Sequence, residues 1–205
     1  LDVEVKEELP SDDTGYGFDT IGDVLSMSPL LVEKYLVIAD RVADAVVDEA
    51  VPERTSRGTA IRYPHALSRV FSQGPPPDDV AARPTHLRDT IARLADRAFR
   101  GRGDDQTTDR LVAVARLASE QPDGSFEKGV AAALAAMLAS PRFLFRIETD
   151  GRDDPPTAAD AAAVPLDGLA LASRLSYFLW SSMPDDELLA LGRDGRLHAE
   201  CDRQI

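Results

Sequence analysis

Gly124-Ser-Phe-Glu-Lys-Gly-Val-Ala-Ala-Ala-Leu-Ala-Ala-Met-Leu-Ala-Ser-Pro-Arg-Phe-Leu-Phe-Arg-Ile-Glu148 reads as two helices joined by one sharp corner. Ser125 is the expected N-cap after the Pro122-Asp123-Gly124 turn, because its side chain can accept from a backbone N–H that the helix leaves unpaired. Phe126, Val130, Leu134, Met137 and Leu138 then recur at helical spacing. A residue before proline is pushed out of the α region, so Ser140 should end this helix. It should also cap a second one that has Pro141 at its first position. Phe143, Leu144, Phe145 and Ile147 make that short helix the densest apolar stretch of the chain. The alanine run from Ala131 to Ala136 leaves room for a neighbouring helix to come close.

Working outward, two more helices precede this pair. Thr85 is expected to cap one that runs to Arg100, with Leu87, Ile91, Leu94, Ala98 and Phe99 on its buried face and Gly101 and Gly103 stopping it. Thr107 or Thr108 opens another, with Leu111, Val114, Leu117 and Ala118 inward and its end before Pro122. Short connections between the four imply antiparallel neighbours, so residues 84–148 read as a central four-helix unit.

Residues 1–52 read as an acidic arm and one helix. Leu1–Pro10 suits an edge strand or an unstructured arm, and Ser28 with Pro29 then begins a helix whose face is Leu31, Tyr35, Ile38, Val42 and Val46. From 53 to 83 periodicity vanishes among prolines and glycines, which predicts a long connector. Residues 149–165 read as a linker, acidic and then alanine-rich. In 166–205, Leu171, Ala172, Leu175, Phe178 and Leu179 define a helix with Trp180 near its end. Pro184-Asp185-Asp186-Glu187 opens the next, with its acids at the positive end of the helix dipole. The expected fold is all-α: a helical bundle with long irregular connectors, a central four-helix unit and a C-terminal helical hairpin.

The formal net charge of −13 argues against nucleic acid or an anionic membrane as partner, since phosphates reward the opposite sign. Its ordinary meaning is solubility. Cys201 is the single cysteine, so no internal disulfide forms and the thiols do not report the compartment. No apolar run reaches membrane-spanning length. A chain opening on Leu1, with no secretory signal, is expected to be a fragment, a trimmed chain or a mature product.

Three stretches, in order, resemble planctomycete-type domains of unknown function. Gly15-Tyr-Gly-Phe-Asp-Thr-Ile-Gly-Asp-Val-Leu-Ser-Met-Ser-Pro-Leu-Leu-Val-Glu-Lys-Tyr-Leu resembles the end of one. Gly124-Ser-Phe-Glu-Lys-Gly with Ser140-Pro-Arg-Phe-Leu-Phe-Arg-Ile-Glu resembles a second. Leu171-Ala-Ser-Arg-Leu-Ser-Tyr-Phe-Leu-Trp-Ser-Ser-Met-Pro-Asp-Asp-Glu-Leu-Leu resembles the start of a third. The resemblance implies a large bacterial protein, exported or periplasmic, with c-type cytochrome modules or flanking domains as partners. Departures from the pattern are the absence of cysteine between Glu53 and Arg83, and Arg97-Ala-Phe-Arg-Gly-Arg where Arg-Ala-Phe-Arg-Arg-Pro is usual. No Cys-x-x-Cys-His is present, so this chain attaches no c-type haem.

No residue is nominated as catalytic, cofactor-binding or metal-binding. Asp185, Asp186 and Glu187 read as a solvated first turn before they read as metal ligands. His198-Ala-Glu200 echoes a zinc-deaminase motif but lacks the following Pro-Cys-x-x-Cys. His65, His86 and His198 share no ligand spacing, and Asp12 with Asp13 falls short of a calcium loop. Gly15-Tyr-Gly17 has Thr20 in place of the third glycine of a dinucleotide loop, and Cys201 has only acids nearby. Arg142, Arg146 and Arg174 lie on apolar helices, where pairing with carboxylates such as Glu148 or capping of helix ends is expected ahead of substrate binding. Tyr177, Phe178 and Trp180 are expected in the core ahead of a ligand cage. The leading expectation is a non-catalytic helical scaffold or interaction segment of an exported, cytochrome-associated multidomain protein. The alternative is a fragment of a haem-dependent redox enzyme or electron-transfer protein whose cofactor lies elsewhere.

Overall fold

The computed structural model describes residues 28–48, 51–55, 58–62, 65–146 and 166–197. In chain order its elements are helix α1 (Pro29–Asp48), strands β1 (Val51–Thr55) and β2 (Gly58–Arg62), and helices α2 (His65–Val70), α3 (Arg83–Ala98), α4 (Asp105–Ser119), α5 (Phe126–Leu138), α6 (Pro141–Leu144), α7 (Gly168–Trp180) and α8 (Asp186–Arg193). The chain is helical, as expected, with one addition. β1 and β2 pair antiparallel from Val51 opposite Arg62 to Thr55 opposite Gly58, across the start of the stretch 53–83 read as a long connector. The same stretch holds α2, whose Val70 and the following Phe71 enter the core. Arg93 of α3 holds that end by donating to the carbonyls of Arg69 and Val70. Among the described residues no helix is long and apolar enough to cross a membrane.

α5 is the hub, in contact with α1, α3, α4 and α6. Its start is as read: the Ser125 hydroxyl accepts from the Lys128 N–H at 3.1 Å. The corner is as read too, with Ala139 as C-cap and Ser140 capping α6 through the Arg142 N–H. α1 begins at Pro29 with the Ser28 hydroxyl accepting from the Leu31 N–H at 3.2 Å. The core joins Ile91, Ala95 and Phe99 of the α3 segment, Leu111, Val112 and Ala115 of α4, and Val130, Leu134 and Met137 of α5. Burying each of the larger side chains among these, the alanines apart, stabilises by roughly 1.5–3 kcal/mol.

Several details differ from expectation. α3 starts at Arg83 from Ala82, which offers no capping side chain, so Thr85 lies inside its first turn. α4 starts earlier than Thr107, because Asp104 takes the cap and its carboxylate accepts from the Thr107 N–H at 2.7 Å. On α4 the inward face is Leu111, Val112 and Ala115, while Val114 and Leu117 are exposed. The cause is close approach. A Cβ at Gly129 of α5 would lie 2.7 Å from the Ala115 carbonyl oxygen, so the two backbones touch there at small residues, and that contact rather than Leu117 sets the inward face. α6 is one turn long and buries none of its residues fully. Phe145 beyond it is half exposed, so the apolar density read there is only partly used.

Candidate functional site

The C-terminal turn of α3 builds the site. Phe99 is the C-cap, the Gly101 N–H donates to the Asp96 carbonyl at 2.7 Å, and the Arg100 N–H donates to the Arg97 carbonyl at 3.1 Å. That pair of bonds is the Schellman closure of a helix, which wants a left-handed residue just after the C-cap and usually takes glycine there. Here the residue is Arg100, with φ of 56°, and Gly101 follows at 82°. A side chain in this conformation costs roughly 1–2 kcal/mol, so something must hold it.

What holds it is the end of α6. The Arg100 guanidinium donates to the carbonyls of Arg142 at 3.1 Å, Phe145 at 3.3 Å and Phe143 at 2.7 Å. It also reaches the Tyr177 hydroxyl of α7 at 3.4 Å and lies 5.9 Å from the Phe143 ring centroid and 5.6 Å from that of Tyr177. Arg100 is 8% exposed. One buried cation thus satisfies carbonyls that α6 leaves without helical partners and ties them to α7.

Neighbouring arginines repeat the device with carboxylates. Arg142 donates to Asp104 at 2.6 Å, to the Thr107 hydroxyl at 2.7 Å and to the Arg102 carbonyl, and lies 4.9 Å from the Phe99 ring centroid. The Arg142 guanidinium, with the Thr107 N–H and hydroxyl, pulls the Asp104 pKa down to about 2. One terminal nitrogen of Arg102 donates to both oxygens of Asp167, at 2.7 and 2.6 Å. Asp167 in turn caps α7 through the Ala170 N–H at 2.8 Å. A reciprocal exchange lies beside it: Arg97 of α3 meets Asp186 of α8 at 2.6 Å, and Arg193 of α8 meets Asp96 of α3 at 2.5 Å. These two are largely exposed, where such pairs contribute about 0–1 kcal/mol and mainly set register. Leu169 and Leu189 pack over Gly101 behind them.

The seam so formed encloses a cavity of about 40 Å³ between the α3 end, α6 and α7. Arg142, Arg146 and Arg174, singled out in the sequence, all line it, joined by Arg100 and Arg102. Arg142 pairs with Asp104, and Glu148 lies outside the described residues. Arg100 and Arg102 escaped sequence reading because they flank a glycine at a helix end. The available signal was an Arg-Gly-Arg triplet at a position where glycine alone would serve.

Of the other residues weighed, Asp185 is the N-cap of α8, accepting from the Leu188 N–H at 2.8 Å, and Asp186 is occupied by Arg97. Among the described residues no three histidine, cysteine or acidic side chains are grouped as a metal would need. His86 lies 5.9 Å, centroid to centroid, from Phe126. His198, Glu200, Cys201, Asp12, Asp13 and Gly15 to Gly17 lie outside the described residues. The aromatic expectation is corrected: Phe178 is 82% exposed and Trp180 65%, while Tyr177 is half buried under the arginines. α7 packs on α8 through Gly168, Ala172 and Gly192 instead, and a Cβ at Gly168 would stand 2.1 Å from the Gly192 carbonyl oxygen.

Fold and seam together define a helical chain of successive units clamped by guanidinium groups. Three domains of unknown function lie in series along it. Residues 1–48 match the family described as Protein of unknown function (DUF1587), residues 86–148 that described as Protein of unknown function (DUF1595), and residues 166–205 that described as Protein of unknown function (DUF1592). No curated protein and no solved structure matches the chain.

Proposed function

We propose that this chain is a helical scaffold or interaction segment of an exported multidomain protein, working beside c-type cytochrome modules or flanking domains. The observation that carries the reading is the last turn of α7. Phe178, Leu179 and Trp180 are 82%, 57% and 65% exposed, three consecutive large apolar side chains on a helix whose other side is clamped by Arg100 and Arg102. Exposed apolar surface of this kind marks protein contact sites, and aromatic residues supply much of the affinity there. A rigid base lowers the ordering cost of binding, which favours a scaffold. The series of three domains on one chain, matched at 1–48, 86–148 and 166–205, supports the multidomain setting.

The test is a calorimetric titration of the chain against purified c-type cytochrome modules and against flanking domains of the longer protein. A saturable complex is expected, weakened about tenfold or more by Trp180→Ser, with the melting temperature of the free chain unchanged. No binding to any of these domains, or redox turnover by this chain alone, would overturn the reading.

A further inference from the structure

We propose that the arginine-lined cavity binds a small oxyanion, a phosphate or carboxylate group, independently of any docking at the end of α7. Five guanidinium groups, from Arg100, Arg102, Arg142, Arg146 and Arg174, line it together with the Ser173 hydroxyl. Among the described residues no carboxylate lines this cavity. A stapling role explains Arg102 and Arg142, each bonded to an aspartate. It does not explain the charge on Arg100 and Arg146. Among the described residues the hydrogen bonds of Arg100 go to neutral acceptors, three carbonyls and a phenol, which satisfy its N–H groups without balancing its charge. Arg146 lies 4.9 Å from the centroid of the same Tyr177 ring that Arg100 faces, and among the described residues no carboxylate pairs with it. Two cations on one ring, in a partly enclosed site, repel each other and raise the potential that an anion would lower.

Size and spare donors agree. A water needs roughly 10–15 Å³ of such volume, so about 40 Å³ admits about three water-sized groups, the dimensions of a carboxylate or a small oxyanion. Nε of Arg142 and Nη1 of Arg102 make no hydrogen bond among the described residues, and the Ser173 hydroxyl makes none there either. Phe99 and Phe145 wall the site, which strengthens charge-assisted bonds inside it. Planar guanidinium forks match oxyanion geometry better than lysines would.

The experiment is a titration of the full chain with sodium phosphate, and separately with sodium acetate, at constant ionic strength set by sodium chloride. Melting temperature and calorimetric heat are followed. A saturable rise in melting temperature is expected with at least one anion, and the better of the two identifies the source. Arg146→Gln should weaken that binding about tenfold, the loss of one charge-assisted contact, and leave the anion-free melting temperature unchanged. Should Arg146→Gln also lower the anion-free value, Ser173→Ala supplies the same comparison. Equal shifts in chloride alone, no saturation with either anion, or full binding retained by both variants would overturn the proposal.

Discussion

Replacing Arg100 by alanine and, separately, by glycine dissects the turn on which the seam depends. Both variants lose the guanidinium, and with it the bonds to the carbonyls of Arg142, Phe143 and Phe145. A hydrogen bond to a charged group is worth about 1.5–3 kcal/mol, and a buried acceptor left unpaired costs about 1–3 kcal/mol. The three bonds share one donor group and an adjoining cavity through which water can reach some of the carbonyls, so they do not add. A loss of about 3 kcal/mol for Arg100→Ala follows. The backbone separates the two variants, because at φ of 56° alanine keeps the Cβ strain that glycine lacks. Arg100→Gly should therefore lose only about 2 kcal/mol, more stable than Arg100→Ala by about 1 kcal/mol. Urea unfolding followed by circular dichroism reads both midpoints, and an unchanged slope would show that the denatured state is unaffected. If the two variants unfold together, the left-handed conformation is not what Arg100 bears. If both stay within about 0.5 kcal/mol of the parent, the carbonyl cage contributes nothing and the seam has been misread.

The Asp104 pKa, lowered to about 2, makes the seam acid-sensitive in a defined window. A depressed carboxylate pKa stabilises the folded chain above the unfolded value of about 3.9, and that contribution is lost as pH falls through the folded value. Asp104→Asn keeps a competent cap for the Thr107 N–H but removes the charge that Arg142 uses, so the stability difference between parent and variant should shrink between about pH 4 and pH 2; a constant difference across that range, measured by urea titration at each pH, refutes the assignment. Gly168→Ala places a Cβ 2.1 Å from the Gly192 carbonyl oxygen and should destabilise by about 2–4 kcal/mol, through separation of α7 from α8. Hydrogen exchange would register the change as lost protection confined to 168–193, and unaltered protection there would refute the close approach.

Helix boundaries were legible because their causes are local. Ser28 with Pro29, Ser125, and Ser140 with Pro141 each place a cap and a stop within a few residues, and the structure uses all three. Helix faces were less legible because side-chain size was weighted above backbone proximity. On α4 the inward choice fell to Ala115 over Leu117, and on α7 to Ala172 and Ser176 over Phe178. Gly129 meets Ala115 of α4, and Gly192 meets Gly168 and Ala172 of α7, so at those points the backbones are too close for a large side chain between them. The hairpin of β1 and β2 carries no helical period, and a two-stranded element is too small to show a core pattern. The cavity was legible only in part: Arg142, Arg146 and Arg174 stood out as cations on apolar helices, whereas their convergence depends on how the α3 end, α6 and α7 meet.

That meeting turns on a local misfit with a distant remedy. A helix ending at Phe99 would close most cheaply with glycine in the next position, and the following residue, Gly101, shows that the chain has glycine to hand. Arginine at that position raises the local cost and gains only when the carbonyls of α6 and the ring of Tyr177 come within its reach. The end of α3 is therefore most stable when α6 and α7 are docked, and the docking is most stable when α3 ends there. Glycine would have closed the same helix without adding this tie among α3, α6 and α7. The conflict between residue type and backbone conformation at Arg100 is thus the local mark of a tertiary coupling between the central helices and the C-terminal hairpin, the rigid base that the interaction surface proposed at the end of α7 would require.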